Sequence, residues 1–218
     1  QQPAWQCRCE VTVHAGIAGY LAVVGSGGRS TFGSSSLSFT KCKQVASRSI
    51  DVRGDSPRGL AALPHEMTHV VLADWLDGQQ PPRWADEGMA ILADSHEKQM
   101  LHERDLSCGL AQGSAFRVAE LLTIDGYPEP NRIPAFYGQS ASLTACLALR
   151  DDPARFVEFL RRVHNDGYDR ALRDIYHIEN VAQLENHWHS QRLAWNSGYH
   201  GVQLVLSAAP AFDAALSN

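Results

Sequence analysis

Long apolar runs are missing from this chain. No stretch of its 218 residues approaches the ~18 consecutive apolar positions that cross a bilayer, so no membrane span is expected. Basic clusters are missing too. Nineteen Lys and Arg stand against 24 Asp and Glu, for a net charge of -5 and a pI near 6.0. No basic run is interleaved with aromatics, which argues against a nucleic-acid partner. No segment repeats, no low-complexity linker divides the chain, and no signal peptide precedes Gln1. The expectation is one soluble functional unit, a mature form already trimmed. Cysteine is sparse, with five residues at positions 7, 9, 42, 108 and 146. Cys7-Arg8-Cys9 lacks the CxxC redox spacing, and the rest are too scattered for a metal cluster of their own. Disulfides are therefore expected, Cys42 with Cys7 or Cys9 and Cys108 with Cys146, leaving one thiol over. That usage points to a secreted or periplasmic protein.

What is present is a hydrophobic content of 44%, enough for one substantial core or two small lobes around a cleft. Two segments stand out against it. The first is His65-Glu66-Met67-Thr68-His69. Residues four apart share a helix face, so His65 and His69 can offer both imidazoles to one ion, with Glu66 one step round as a general base beside a metal-bound water. Zn2+ is the expected ion. Held by three protein ligands, it keeps an open position where water becomes acidic enough to ionise near neutrality. A third protein ligand is then required.

The second segment, Trp84-Ala85-Asp86-Glu87-Gly88-Met89-Ala90, supplies it. A helix from His65 to about Leu76, a reversal through Asp77-Gly78-Gln79-Gln80-Pro81-Pro82, and a new helix from Arg83 would bring Glu87 back beside the histidines. His65, His69 and Glu87 are the expected metal ligands.

The paired motifs resemble those of the gluzincin metallopeptidases, the thermolysin-like and aminopeptidase-like group in which HExxH is completed by Glu on the next helix in W-x-x-E-G-x-A. The metzincin pattern does not fit, because its third His would fall at Trp75. The Asp with which thermolysin-type chains support a ligand His falls at Ile91 here, so support must come from elsewhere, with Asp86 and Asp94 as candidates. Ala135-Phe136-Tyr137-Gly138-Gln139-Ser140 looks like the Tyr-x-x-Ser helix start of small bacterial gluzincins of the peptidase MA-like group. By that resemblance Tyr137 would donate to the oxyanion of the tetrahedral intermediate.

The resemblance implies an α+β, zincin-like fold. It would have a small, mostly antiparallel N-terminal sheet, the HExxH helix, the Glu-ligand helix and a C-terminal helical bundle. One unit covers 1–218, with 1–112 holding the sheet and active-site helices, 113–196 the helical lobe and 197–218 a tail without an assigned role. Candidate strands are 11–14, 20–24, 30–32, 37–40 and 45–52, with Ser26-Gly27-Gly28 as a hairpin turn. By the same resemblance an edge strand within 30–40 would pair with the substrate backbone. Ser56 is read as a helix N-cap with Pro57 at the first helical position. Pro64 should kink or restart the helix. Phe156, Phe159, Leu160 and Val163 form the i, i+3, i+4, i+7 stripe of a packed helix.

Other patterns were weighed and set aside. Gly138-Gln139-Ser140-Ala141-Ser142 lacks the final Gly of a serine-hydrolase elbow. His187 and His189, two apart on a helix, point to different faces. No motif selects among His164, His177 and His200. The resulting expectation is a zinc-dependent peptidase acting on a peptide or protein substrate. Endopeptidase action is favoured over aminopeptidase action because no Gly-x-Met-x-Asn amine-binding motif precedes His65. The alternative is a non-catalytic or latent zinc-binding scaffold, its site covered by the tail. No residue pattern indicates an oligomeric state.

Overall fold

The computed structural model describes residues 8–42, 44–76, 79–150 and 152–198. Three strands form one sheet in the order β1-β3-β2, with β1 Cys9–His14, β2 Gly33–Phe39 and β3 Val45–Arg53. β1 lies parallel to β3, with Val11 opposite Ile50 and Val13 opposite Val52. β2 runs antiparallel to β3, with Ser35 opposite Ile50 and Leu37 opposite Arg48. The sheet is therefore mixed, not mostly antiparallel.

A parallel pair cannot be joined by a tight turn and needs a long crossover. Here the connection from β1 to β3 carries α1, Ile17–Val24, a 3-10 turn at Ser26–Ser30 and the strand β2 itself. The strand expected at 20–24 is thus a helix. Ile17, Tyr20, Leu21 and Val24 already have helical spacing, and Tyr20 is fully buried with its hydroxyl 2.7 Å from Thr31 Oγ1. The strand expected at 30–32 and the hairpin turn at Ser26-Gly27-Gly28 fall in the same connection.

α2, Pro57–Ala61, starts as expected: Ser56 Oγ accepts from the Arg58 amide at 3.3 Å, and Pro57 follows the cap. The chain breaks at Ala62 and restarts as α3, Leu63–Trp75, with Pro64 in its first turn. Proline loses nothing there, because first-turn amides have no intrahelical partner. α3 covers one face of the sheet, packing Val70 with Ile50 and Val52 and bringing in Leu63 and Met67. The buried Arg48 side chain pairs with Asp74 and ties β3 to this helix.

The larger core lies between the helices that follow: α4 Arg83–Leu92, α5 His96–Gln112, α6 Val118–Leu121, α7 Ile133–Ala148, α8 Pro153–Asp166, α9 Tyr168–Tyr176 and α10 Val181–Gly198. Phe156, Phe159 and Leu160 are buried in it as the stripe predicts, beside Trp84, Phe136, Leu143 and Trp188. Leu72 and Trp84 share this core with α7 to α10, so the ligand-bearing helices and the C-terminal helices pack as one body. The fold is α+β and mostly helical. No helix among the described residues is long and apolar enough to cross a membrane.

The disulfide expectation is corrected. Among the described residues no two cysteines lie at disulfide distance, and Cys7 lies outside them. Cys108 faces solvent on α5, whereas Cys146 is buried on α7, where burial pushes its thiol pKa up to about 11. Gly109, next to Cys108, packs on Ala135 at the start of α7, whereas Cys146 lies near the end of that helix, on the order of 16 Å further along at 1.5 Å per residue, too far for a disulfide. The secreted or periplasmic placement that rested on pairing loses that support. Residues 199–218, which hold most of the tail expected to cover the site in the latent alternative, also lie outside the described residues.

Candidate metal centre

Two helices bring the HExxH and W-x-x-E-G residues together. Trp84 anchors α4: its fully buried indole packs edge-on against Phe156 at 6.1 Å, and its Nε1 donates to the Tyr168 hydroxyl at 2.9 Å. Gly88 lets α4 lie close against α7. A Cβ there would sit 2.1 Å from Thr144 Oγ1 and 2.6 Å from the Ser140 carbonyl oxygen. With α4 fixed on both sides, Glu87 faces α3. One ligand atom each from His65, His69 and Glu87 lies within 4.8 Å of the others, and His65 Nε2 is 3.8 Å from Glu87 Oε2.

The outer nitrogens of both imidazoles are spoken for. His65 Nδ1 is 3.0 Å from Asp94 Oδ2, and His69 Nδ1 is 2.8 Å from Asp86 Oδ1. An ionised carboxylate only accepts, so each Nδ1 carries the proton and each Nε2 keeps its lone pair toward the cluster. Asp86 and Asp94, proposed from sequence as supports, occupy those positions, while Ile91 is buried in the core.

Asp94 has a fully buried side chain and also receives the Lys98 ammonium at 2.9 Å. Burial alone would raise its pKa, but the hydrogen bond and charge of His65, with Lys98 behind them, outweigh it and hold the carboxyl low. For His69, burial works downward, yet the Asp86 hydrogen bond and the charges of Asp86, Glu87 and Glu66 win and the net shift is upward.

This donor set suits zinc. Two neutral imidazole nitrogens and one carboxylate oxygen are ordinary zinc ligands. Tetrahedral bonds near 2.1 Å would space them about 3.4 Å apart, a contraction that small side-chain rotations supply.

Glu66 is buried at the foot of the same cleft, beneath the start of β2. Gly33 makes the room: a Cβ there would lie 2.8 Å from Glu66 Cγ and 3.0 Å from its Oε1. The cleft, ≈ 710 Å³, is lined by Gly33, Ser35, Leu37 and Phe39 along β2 and by His65, Glu66, His69, Glu87, Tyr127 and Tyr137 opposite. β2 is an edge strand of the described sheet, within the segment expected to border the cleft.

Tyr137 therefore stands in the same cavity as the three candidate ligands and Glu66. Burial, reinforced by the Glu87 charge, raises its pKa, which keeps its hydroxyl a proton donor across the neutral range. Its ring packs on His102 at 5.7 Å and on Tyr127 at 6.1 Å.

Tyr127 and Arg83 were not singled out by sequence reasoning. The Tyr127 hydroxyl donates to Glu87 Oε1 at 2.9 Å, and Arg83 Nη1 lies 3.6 Å from the same oxygen. The Gly126-Tyr127-Pro128 sequence signals only a turn, and the partner of Tyr127 is forty residues away in sequence.

Ser140 is fully buried inside α7. His187 bonds only its helical neighbour Gln191, and His189 is exposed. Among the described residues no second group of metal-ligating side chains gathers. His164 lines a smaller cavity of ≈ 300 Å³ beside Arg83 and Asp86, His177 ends α9 in a left-handed conformation, and His200 lies outside the described residues. Comparison of the chain with protein-family models, with curated proteins and with solved structures finds no match, so the likeness to the gluzincins rests on these residues and their arrangement alone.

Proposed function

We propose that this chain is a zinc-dependent peptidase of gluzincin type, with His65, His69 and Glu87 as the metal ligands. The observation that carries this reading is the orientation of the cluster: three donor atoms converge while Asp94 and Asp86 hold the far nitrogens of both histidines. A chance grouping of His and Glu has no reason to come with both imidazoles braced from behind. Zinc, when bound, supplies Lewis-acid polarisation of the scissile carbonyl and lowers the pKa of the attacking water.

The chain's own residues do the rest. Glu66, adjacent to His65 on α3 and buried beside Gly33, takes a proton on its carboxylate from the attacking water and passes it to the leaving amine. Tyr137, its hydroxyl kept protonated by burial, donates a hydrogen bond to the developing oxyanion. Tyr127 donates to Glu87 and its hydroxyl is also hydrogen-bonded with that of Tyr137; of the two phenols, Tyr137 is the one the resemblance selects for that task. The outer edge of β2 pairs with the backbone of an extended peptide, a mode of binding that needs no particular side chain. The lack of an amine-binding motif favours internal cleavage.

The test separates binding from turnover. Glu66→Gln is expected to keep one zinc per chain and lose peptide hydrolysis, whereas Glu87→Ala loses zinc and activity together. Full activity in Glu66→Gln would overturn the assigned chemistry.

A further inference from the structure

Glu87 has two carboxylate oxygens in unlike surroundings. Oε2 is the one 3.8 Å from His65 Nε2. Oε1 points away and meets two donors, the Tyr127 hydroxyl at 2.9 Å and Arg83 Nη1 at 3.6 Å. The donors are themselves joined, because the Arg83 guanidinium lies 4.4 Å over the Tyr127 ring. The carboxylate they hold is nearly closed to solvent, at 5% side-chain exposure, so water does not compete for these bonds.

We propose that Tyr127, braced by Arg83, is a positioning residue that makes Glu87 a one-oxygen ligand. This inference rests on the metal reading above and adds to it a role for two residues outside both motifs. A carboxylate can hold an ion through one oxygen or both, and in the second case its outer oxygen takes up a further coordination position. The hydrogen bond from Tyr127 and the nearby charge of Arg83 hold the outer oxygen and would oppose its rotation onto a bound ion. The fourth position is thereby kept for water or the substrate carbonyl, the condition that separates a catalytic zinc site from a closed structural one.

Packing does not require the Tyr127 hydroxyl. Its ring lies 6.3 Å from Phe136 and 6.1 Å from Tyr137, edge-on or tilted, contacts that phenylalanine would keep. The residue is 51% exposed overall, yet its hydroxyl meets a buried acid and the Tyr137 hydroxyl. A purely structural loop residue has no need of those bonds.

The experiment uses the full chain as Tyr127→Phe, Arg83→Gln and wild type. Zn2+ affinity is measured by competition with a chromophoric chelator, and the visible d–d spectrum is recorded after loading with Co2+. Co2+ absorbs strongly in a four-coordinate site and more weakly as its coordination number rises. Tyr127→Phe is expected to bind Zn2+ some ~10–100-fold more weakly, the range for lost outer-sphere support, and to show a weakened Co2+ band, with the melting curve of the metal-free protein unchanged. Arg83→Gln should shift both readouts the same way, by less. Wild-type affinity together with a wild-type Co2+ band in both variants would overturn the inference alone. Failure of wild type itself to bind Zn2+ would overturn the metal reading and this inference with it.

Discussion

Replacing Gly88 by alanine sets two physical effects against each other. Gly88 lies inside α4, where local propensity alone predicts that alanine stabilises the helix by about 1 kcal/mol. Packing predicts the reverse. The new methyl would sit 2.1 Å from Thr144 Oγ1, 2.8 Å from Thr144 Cβ and 2.6 Å from the Ser140 carbonyl oxygen, against the roughly 3.5–4.0 Å of a comfortable contact. Thr144 is fully buried and the carbonyl belongs to helix backbone, so α4 and α7 must separate.

Overpacking of this kind costs about 1–3 kcal/mol. Contacts this short put the cost at the upper end, about 2–3 kcal/mol, so with the propensity gain subtracted Gly88→Ala should destabilise the protein by about 1–2 kcal/mol, a fall in Tm of roughly 2–8 °C for a chain of this size. Because Glu87 is the neighbouring residue, Zn2+ affinity should fall as well. Urea denaturation of the metal-free protein and a chelator competition read the two effects separately. The double variant Gly88→Ala/Thr144→Ala should recover part of the loss. It removes the nearest obstacle, and Thr144 Oγ1 has no hydrogen-bond partner to forfeit, but the Ser140 carbonyl remains. A Gly88→Ala protein as stable as wild type, or more stable, would refute the claim that this glycine sets the α4–α7 spacing.

Two further predictions concern the cleft. Gly33→Ala should push a methyl into the Glu66 side chain, lowering kcat while leaving zinc stoichiometry at wild-type level; unchanged kcat would show that Glu66 has room to spare. The raised pKa of metal-free His69 means that protons compete with zinc from above the ordinary imidazole value of about 6.5. A group that must lose its proton to bind loses affinity as pH falls through its pKa, so Zn2+ affinity should begin to drop on the alkaline side of that value. Asp86→Asn, which removes the charge responsible, should move the onset to lower pH, and an onset that stays put would contradict the assignment of Asp86.

The site was legible in the sequence because its geometry is local. The i, i+4 spacing of His65 and His69 is set by helix geometry, and the Pro-rich stop before Arg83 left little choice about where Glu87 would return. The supports of the histidines were half legible, since Asp86 and Asp94 lie on or just beyond the helix already identified. Tyr127 and Arg83 were not, because what matters about them is a contact made across the fold by a loop whose sequence says only that it turns. The N-terminal sheet was misread for a different reason. Short runs such as 20–24 satisfy strand and helix patterns alike, and this one lies in the connection that carries the chain from β1 past β3 to β2 at the opposite edge. The expected disulfides failed on a similar point: cysteine count carries no information about where along packed helices each thiol falls, and Cys108 and Cys146 lie at opposite ends of the α5–α7 pair.

The central claim is that the cluster at His65, His69 and Glu87 hydrolyses peptide bonds with Glu66 as base. Mass-spectrometric profiling of a diverse peptide mixture, incubated with the zinc-loaded protein and with Glu66→Ala as control, tests it directly. New internal cuts made by the wild type and absent from the control are predicted. Identical profiles from the two proteins would contradict the claim.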